Sequence, residues 1–129
     1  MSKFSPISKD AFTGRVLDED SLRDAAGVLE IVLLDEKKEK VIVRFDDFVA
    51  YRKLDEGDAF NILHEISTTS TLGHTLYLVD GSQFLEWFSG ESQHVRDRQG
   101  LKHFCLITLN SVVDVIAFNE PKVQQSIKE

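Results

Sequence analysis

The chain has 129 residues, of which 42% are hydrophobic and 29% charged, and its net charge is -7. This length suits one domain with its own hydrophobic core, and the composition is ordinary for a soluble globular protein. The negative charge argues against nucleic acid and anionic membranes as partners, because phosphate groups repel an acidic surface.

The compartment follows from three negative observations. One cysteine cannot form an intramolecular disulfide, so secretion has no support. The start, "MSKFSPISKD", has no apolar signal-peptide core, and no run approaches the roughly 18 apolar residues of a membrane span. We therefore expect a cytoplasmic protein.

The first 27 residues are predicted to hold an arm and a helix. Residues 1–14 lack periodicity and contain a proline and a glycine, which predicts a flexible N-terminal arm. The segment "LDEDSLRDAAG" then indicates a short helix, capped by Asp20 or Ser21 and ended by Gly27.

The next segment predicts a β-hairpin. "VLEIVLL" (28–34) is almost wholly apolar, as in a strand covered on both faces, and "VIVRF" (41–45) alternates between apolar and mixed positions. A charged link joins the two runs. A hairpin is the simplest interpretation.

A change of period after residue 45 indicates a helix. Ala59, Ile62, Leu63 and Ile66 fall at helical spacing, with acidic residues near the predicted N-terminus, where they favour the helix dipole. The preceding "DDFVAYRKL" is either a first helix or an irregular bridge.

Short elements are predicted in the remaining chain. "TLYLV" (75–79) is a strand, "DGSQFLEWFSG" a turn and helix with Asp80 or Ser82 as cap and Gly90 as its end, and "ESQHVRDRQG" an exposed loop. "LKHFCLITL" is a strand and "NSVVDVIAF" a short helix.

These elements predict an α+β fold: a single, mostly antiparallel sheet with short helices packed on it. The single domain is expected to span residues 15–121, followed by a polar C-terminal tail at 122–129.

His103 and Cys105 are the first candidates for chemistry. They share one face of a predicted strand, but a nucleophilic cysteine usually needs a helix N-terminus or a nearby cation, and its neighbours here are apolar. Residues i and i+2 on a strand are also roughly 6.5–7 Å apart, too far for reliable contact. We expect this pair to belong to the core.

Other catalytic and metal signatures are missing from the sequence. The four histidines, including His64, His74 and His94, have no metal-site spacing, and no glycine-rich phosphate loop or Gly-x-Ser-x-Gly elbow occurs. We expect no enzymatic activity, no cofactor and no metal.

Acidic clusters are the other candidates. "DED" (18–20), "DD" (46–47) and "DEGD" (55–58) fit solvated faces and helix N-termini, a Mg²⁺ or acid–base site, or a surface complementary to a basic partner. All three lie in the first half of the chain, which would help them to form one surface. Phe84, Trp87 and Phe88 lie at helical spacing, which usually indicates a core position, although Trp87, near the polar "SGESQ", could instead anchor an interface.

The segments "YLVDGSQFLEWFSGES" and "LKHFCLITLNSVVDVIAFNEP", with the hairpin and "FDDFVAYRKLDEGDAF" before them, resemble bacterial immunity proteins of contact-dependent growth inhibition and related polymorphic toxin systems. The resemblance covers roughly residues 27–121. It implies a sheet-and-helix fold similar to the Whirly single-strand-binding proteins, without nucleic-acid binding. It also implies binding to a cognate toxin domain, commonly a nuclease.

The leading hypothesis is therefore a non-enzymatic immunity protein that neutralises a toxin domain through an acidic surface. A nuclease site is generally basic because it holds phosphate, so carboxylates could stand where phosphates would. The candidate partner-binding residues are Asp46, Asp47, Asp55, Glu56, Asp58 and Glu91. The alternative is a small enzyme or ligand-binding domain that uses the sheet face around His103 and Cys105.

Overall fold

The computed structural model describes residues 2–13, 15, 17–69, 73–92 and 100–125. The strands, in chain order, are β1 Lys3–Pro6, β2 Asp18–Ala25, β3 Val28–Leu34, β4 Lys40–Phe45, β5 Phe48–Asp55, β6 Leu76–Asp80, β7 Lys102–Ile107, β8 Ser111–Ala117 and β9 Lys122–Gln125. The helices are α1 Phe60–Thr69 and α2 Gln83–Glu91. Within these residues neither helix combines the length and the apolar character that crossing a membrane requires.

The strands form two antiparallel sheets, which confirms the predicted α+β class. The prediction of a single sheet is wrong. One sheet has five strands in the order β1-β6-β7-β8-β5, and the other has four in the order β2-β3-β4-β9. The likeness to the Whirly fold stays a prediction.

The main core lies between the two sheets. Strands β7 and β8 point Phe104, Leu106, Val113 and Val115 towards the four-stranded sheet, and all four side chains are buried. The opposing strands β3 and β4 supply Leu29, Ile31, Leu33, Val41, Val43 and Phe45. Side chains two residues apart share a face, so each strand has a second set of residues for its other side.

The helices cover the outer face of the five-stranded sheet. Helix α1 places Ile66 in a cluster with Tyr77 and Cys105, and α2 places Phe84 in a cluster with Ile116. The sheet is therefore covered on both sides, which explains why β7 and β8 are apolar along nearly their whole length.

Two predictions for the N-terminal region are wrong. Residues 3–6 of the predicted arm pair with β6, and a short 3₁₀ helix, Asp10–Phe12, buries Phe12 in the main core. The predicted helix after the arm is strand β2. Ala26 and Gly27 both have positive φ, as a two-residue hairpin turn requires, so this segment pairs back onto β3.

The predicted helix "NSVVDVIAF" is also wrong, because residues 111–117 form β8, which lies between β7 and β5 in the five-stranded sheet. Its valines and isoleucine are β-branched and favour a strand over a helix. The predicted polar tail begins with β9, which pairs with β4, and residues 126–129 lie outside the described part.

Most of the other elements agree with the sequence patterns. The hairpin β3–β4, helix α1, and strands β6 and β7 are confirmed. Ser82 caps α2, whereas Gly90 lies inside that helix rather than at its end. The segment "DDFVAYRKL" is neither a helix nor a bridge: it is mostly strand β5. Most of the predicted exposed loop, with His94, lies outside the described residues.

Candidate functional site

His103 and Cys105 face the helices from the outer side of β7, and both are buried, with 4% and 0% of their surface exposed. Burial raises the pKa of the Cys105 thiol well above its ordinary value, and the negative charge of Asp114 raises it further. A nucleophilic cysteine has the opposite property, a lowered pKa. The cysteine is thus a buried thiol of the cluster under α1.

His103 belongs to a chain of buried polar side chains. Its Nδ1 atom lies 2.6 Å from Ser82 Oγ, and its Nε2 atom lies 2.6 Å from Asp114 Oδ1. Arg52 Nε donates to the other carboxylate oxygen of Asp114 at 2.8 Å. We call Ser82, His103, Asp114 and Arg52 the polar clamp, because they join α2, β7, β8 and β5.

The carboxylate of Asp114 fixes the direction of the hydrogen bonds that it receives in the polar clamp. An ionised carboxylate only accepts, so His103 Nε2 carries the hydrogen that Asp114 receives. At Nδ1 the direction depends on the ring: a neutral ring accepts the Ser82 hydroxyl hydrogen there, and a protonated ring donates to Ser82 Oγ. In both cases Ser82 Oγ accepts the Leu85 N–H at 2.9 Å as the cap of α2. Each of these ring and hydroxyl atoms has a partner.

Asp114 holds its charge although it is only 1% exposed. Burial alone would raise its pKa, but hydrogen bonds and electrostatic attraction from His103 and then Arg52 outweigh burial and lower the pKa of this carboxyl. The Arg52 guanidinium also lies 4.4 Å from the centre of the Phe84 ring. The polar clamp is therefore both charge-paired and packed.

The order Ser82, His103, Asp114 matches the order of groups in serine-type nucleophilic catalysis. A nucleophile must face its substrate, however, and Ser82 is 5% exposed with its oxygen already accepting the helix N–H. A cavity of about 340 Å³ between α1 and α2 is lined by His103 and Asp114 but not by Ser82. The visible role of this arrangement is to hold α2 on the sheet and to link β5 to β8 through side chains.

The acidic candidates separate into two groups. Asp55, Glu56 and Asp58 follow β5 at one end of the sandwich, where the Glu56 N–H donates to the Asn110 carbonyl at 3.1 Å. The side chain of Asn110 also bonds both main-chain groups of Glu19, at 2.9 and 3.2 Å. The turn between β7 and β8 thus brings the start of β2 beside the end of β5.

This meeting point carries a group of exposed carboxylates that we call the acidic end. Its members are Asp18, Asp20, Asp55, Glu56 and Asp58. Glu19 between them pairs with Lys53 at 2.7 Å. No lysine or arginine among the described residues forms an ion pair with any of the five, so their charges are uncompensated there.

Two exposed hydrophobic side chains adjoin the acidic end. Leu109, next to Asn110 in the turn, is 56% exposed, and Phe60, two residues after Asp58, is 77% exposed. Single exposed apolar side chains are common on protein surfaces, so the feature of interest is that these two lie beside the carboxylates. The acidic end therefore combines charge with apolar anchors.

The remaining candidates lie elsewhere. Asp46 and Asp47 precede β5 and lie about 25 Å from its far end, given the rise of a strand. Asp46 pairs with Arg44 and Lys122, and their hydrogen bonds lower the pKa of Asp46. Asp47 accepts a hydrogen bond from Asn119, and Glu91 ends α2. The three sequence clusters do not form one surface.

The sequence patterns did not identify several residues that lie in or beside these sites. Phe60 and Leu109 gave no signal, because exposure of a single apolar residue depends on the fold. Asp114 did give one: a lone carboxylate inside "SVVDVIAF" must be paired if that segment is buried.

Comparisons of the chain with protein-family models, with curated proteins and with solved structures give no match.

Proposed function

We propose that this chain is a binding protein, without catalysis of its own, that neutralises a basic toxin domain of the nuclease kind. One observation carries the proposal: the acidic end places five exposed carboxylates around Asn110, with exposed Phe60 and Leu109 beside them. The resemblance to immunity proteins in the sequence analysis points to the same role.

The charges of the acidic end suit recognition more than stability. Exposed carboxylates without an internal cation lose no ion pair when a basic protein approaches, and they speed its association. A nuclease holds its substrate by phosphate contacts, so carboxylates can occupy the same cationic positions.

The apolar residues supply the complementary part of the interface. Charge pairs at an interface rim add little affinity, whereas a few buried hydrophobic anchors often dominate it. Phe60 and Leu109 are available for that purpose because neither is covered by the described chain.

The test measures binding by calorimetry to the purified C-terminal domain of the protein encoded directly upstream of this chain. Glu56→Lys is compared with Glu91→Lys, which makes the same change in net charge outside the acidic end. We expect Glu56→Lys to raise the Kd by about tenfold, roughly 1.4 kcal/mol, and Glu91→Lys to change it less than twofold.

Two results would count against the proposal. No binding by the wild-type chain to the folded domain would remove the toxin-neutralising role. Equal losses of affinity in both variants would indicate that net charge acts at long range and that the acidic end is not the contact surface.

A further inference from the structure

Strand β5 is an edge of the five-stranded sheet. Within the described residues it is hydrogen-bonded to β8 alone, and its other side faces outwards. An edge strand presents a row of main-chain N–H and C=O groups that can pair with another chain. Eight residues give this edge a length of about 25 Å.

The register identifies the main-chain groups that face outwards. Because the Glu56 N–H donates to the Asn110 carbonyl, residues 56 and 110 form a hydrogen-bonded pair. Bonded pairs alternate along an antiparallel ladder, so Arg52 and Leu54 direct their main-chain groups to β8. Tyr51 and Lys53 direct theirs away from it.

A groove runs beside this edge. It has a volume of about 530 Å³, and its lining includes Phe48, Val49, Tyr51, Phe84 and Trp87. Trp87 is 56% exposed and stacks on Phe84 at 5.8 Å between ring centres. The polar clamp fixes the position of these rings, because Ser82 caps α2 and Arg52 lies over Phe84.

The charges along the groove favour a basic occupant. The two cations on β5 are neutralised inside the chain, Arg52 by Asp114 and Lys53 by Glu19. Exposed Asp24 lines the groove near the start of β5. At its other end β5 leads into the acidic end, which begins at Asp55. Carboxylates therefore stand at both ends of the edge.

We propose that an extended segment of the basic partner adds to β5 as a sixth strand, with its apolar residues in the groove beside Trp87. The inference rests on the proposed function and names its binding mode. The groove lies beside the first residues of β5, and the acidic end follows the last ones, so a partner that runs along β5 can use both surfaces.

The alternation of side chains defines the segment that fits. Residues of an added strand that face the helices meet Phe84 and Trp87, and we expect them to be apolar. Residues on the opposite face, towards β2, meet Asp24, and we expect lysine or arginine there. Main-chain pairing supplies affinity, and these two faces supply selectivity.

Amide hydrogen exchange tests the inference on the complex with the upstream-encoded domain. We expect the Tyr51 and Lys53 amides to exchange rapidly in the free chain and at least tenfold more slowly in the complex. The Arg52 and Leu54 amides, bonded to β8, serve as internal controls that are protected in both states.

A matched pair of variants gives a second measurement. Lys53→Pro and Lys53→Ala both lose the ion pair with Glu19, but only proline removes the outward N–H and blocks strand addition. We expect Lys53→Pro to bind the domain at least tenfold more weakly than Lys53→Ala. Circular dichroism and urea unfolding test whether both variants retain the fold. If Lys53→Pro unfolds, amide exchange on the wild type decides alone.

The outcomes separate this inference from the proposed function. In one outcome the domain binds, the Tyr51 and Lys53 amides are not protected, and the two Lys53 variants bind with equal affinity. This outcome would leave the proposed function intact and overturn strand addition. If the Tyr51 and Lys53 amides are already protected in the free chain and sedimentation shows a dimer, the β5 edge pairs with a second copy of the chain. That outcome would also overturn the inference. Absence of binding to the domain would reject both.

Discussion

The polar clamp and the acidic end both depend on carboxylates, but they hold them in opposite ways. Asp114 is 1% exposed and receives hydrogen bonds from His103 and Arg52. Asp58, at the acidic end, is exposed and has no cationic partner in the described chain. One carboxylate is held by the protein, and the other is open to a partner.

The difference separates stability from recognition. A buried charge is tolerated only when it is paired, so losing a partner from the polar clamp is costly. An exposed charge contributes little to folding, because water solvates it in the folded and unfolded states alike. Substitutions should therefore affect the two regions in opposite ways, on stability in one and on binding in the other.

The largest expected effect is that of Asp114→Asn. The amide keeps the shape of the side chain but cannot accept from His103 and Arg52 without placing an N–H against one of these donors. We expect the free energy of unfolding in urea to fall by about 2–3 kcal/mol. A loss below about 0.5 kcal/mol would mean that the polar clamp does not stabilise the fold.

A smaller effect is expected from acid. The pKa of Asp114 is lowered in the folded state, so its contribution to stability is complete above the unfolded value, about 3.9, and is lost as the pH falls through the lower folded value. Thermal unfolding measured between pH 2 and pH 6 should show that the wild-type Tm decreases once the pH is below about 4.

Asp35 and Asp46 also have lowered pKa values and add to the same loss of stability in acid. The Asp114→Asn variant is therefore the control, since it keeps both of these residues. We expect its Tm to depend less steeply on pH than that of the wild type. Parallel curves for the two proteins would contradict the assignment to Asp114.

The smallest effect on stability is expected from Asp58→Asn at the acidic end. Removing one of several like charges should change the free energy of unfolding by less than about 0.5 kcal/mol, while weakening the binding of the upstream-encoded domain. Urea unfolding and calorimetry on the same preparation give both numbers. A loss of stability above about 1 kcal/mol would show that Asp58 has a structural role.

Local patterns predicted much of the fold where local and tertiary preferences agree. The hairpin β3–β4, helix α1 and the Ser82 cap follow from periodicity and capping chemistry that act within a few residues. Two segments failed because the sheets override local signals. Residues 111–117 pair on both sides as β8, and β2 pairs back through the Ala26–Gly27 turn.

The sequence by itself determined the class of the fold, the acidic balance and the buried nature of Cys105, because composition and apolar periodicity are properties of the chain. Only the tertiary structure decided which charges meet. It brought His103 and Arg52 to Asp114. It also placed the carboxylates of Asp46 and Asp47, before β5, far from those of the acidic end, after β5. Pairing of residues distant in sequence depends on the order of the strands in the sheet, whereas local patterns and turns set at most the register of neighbouring strands.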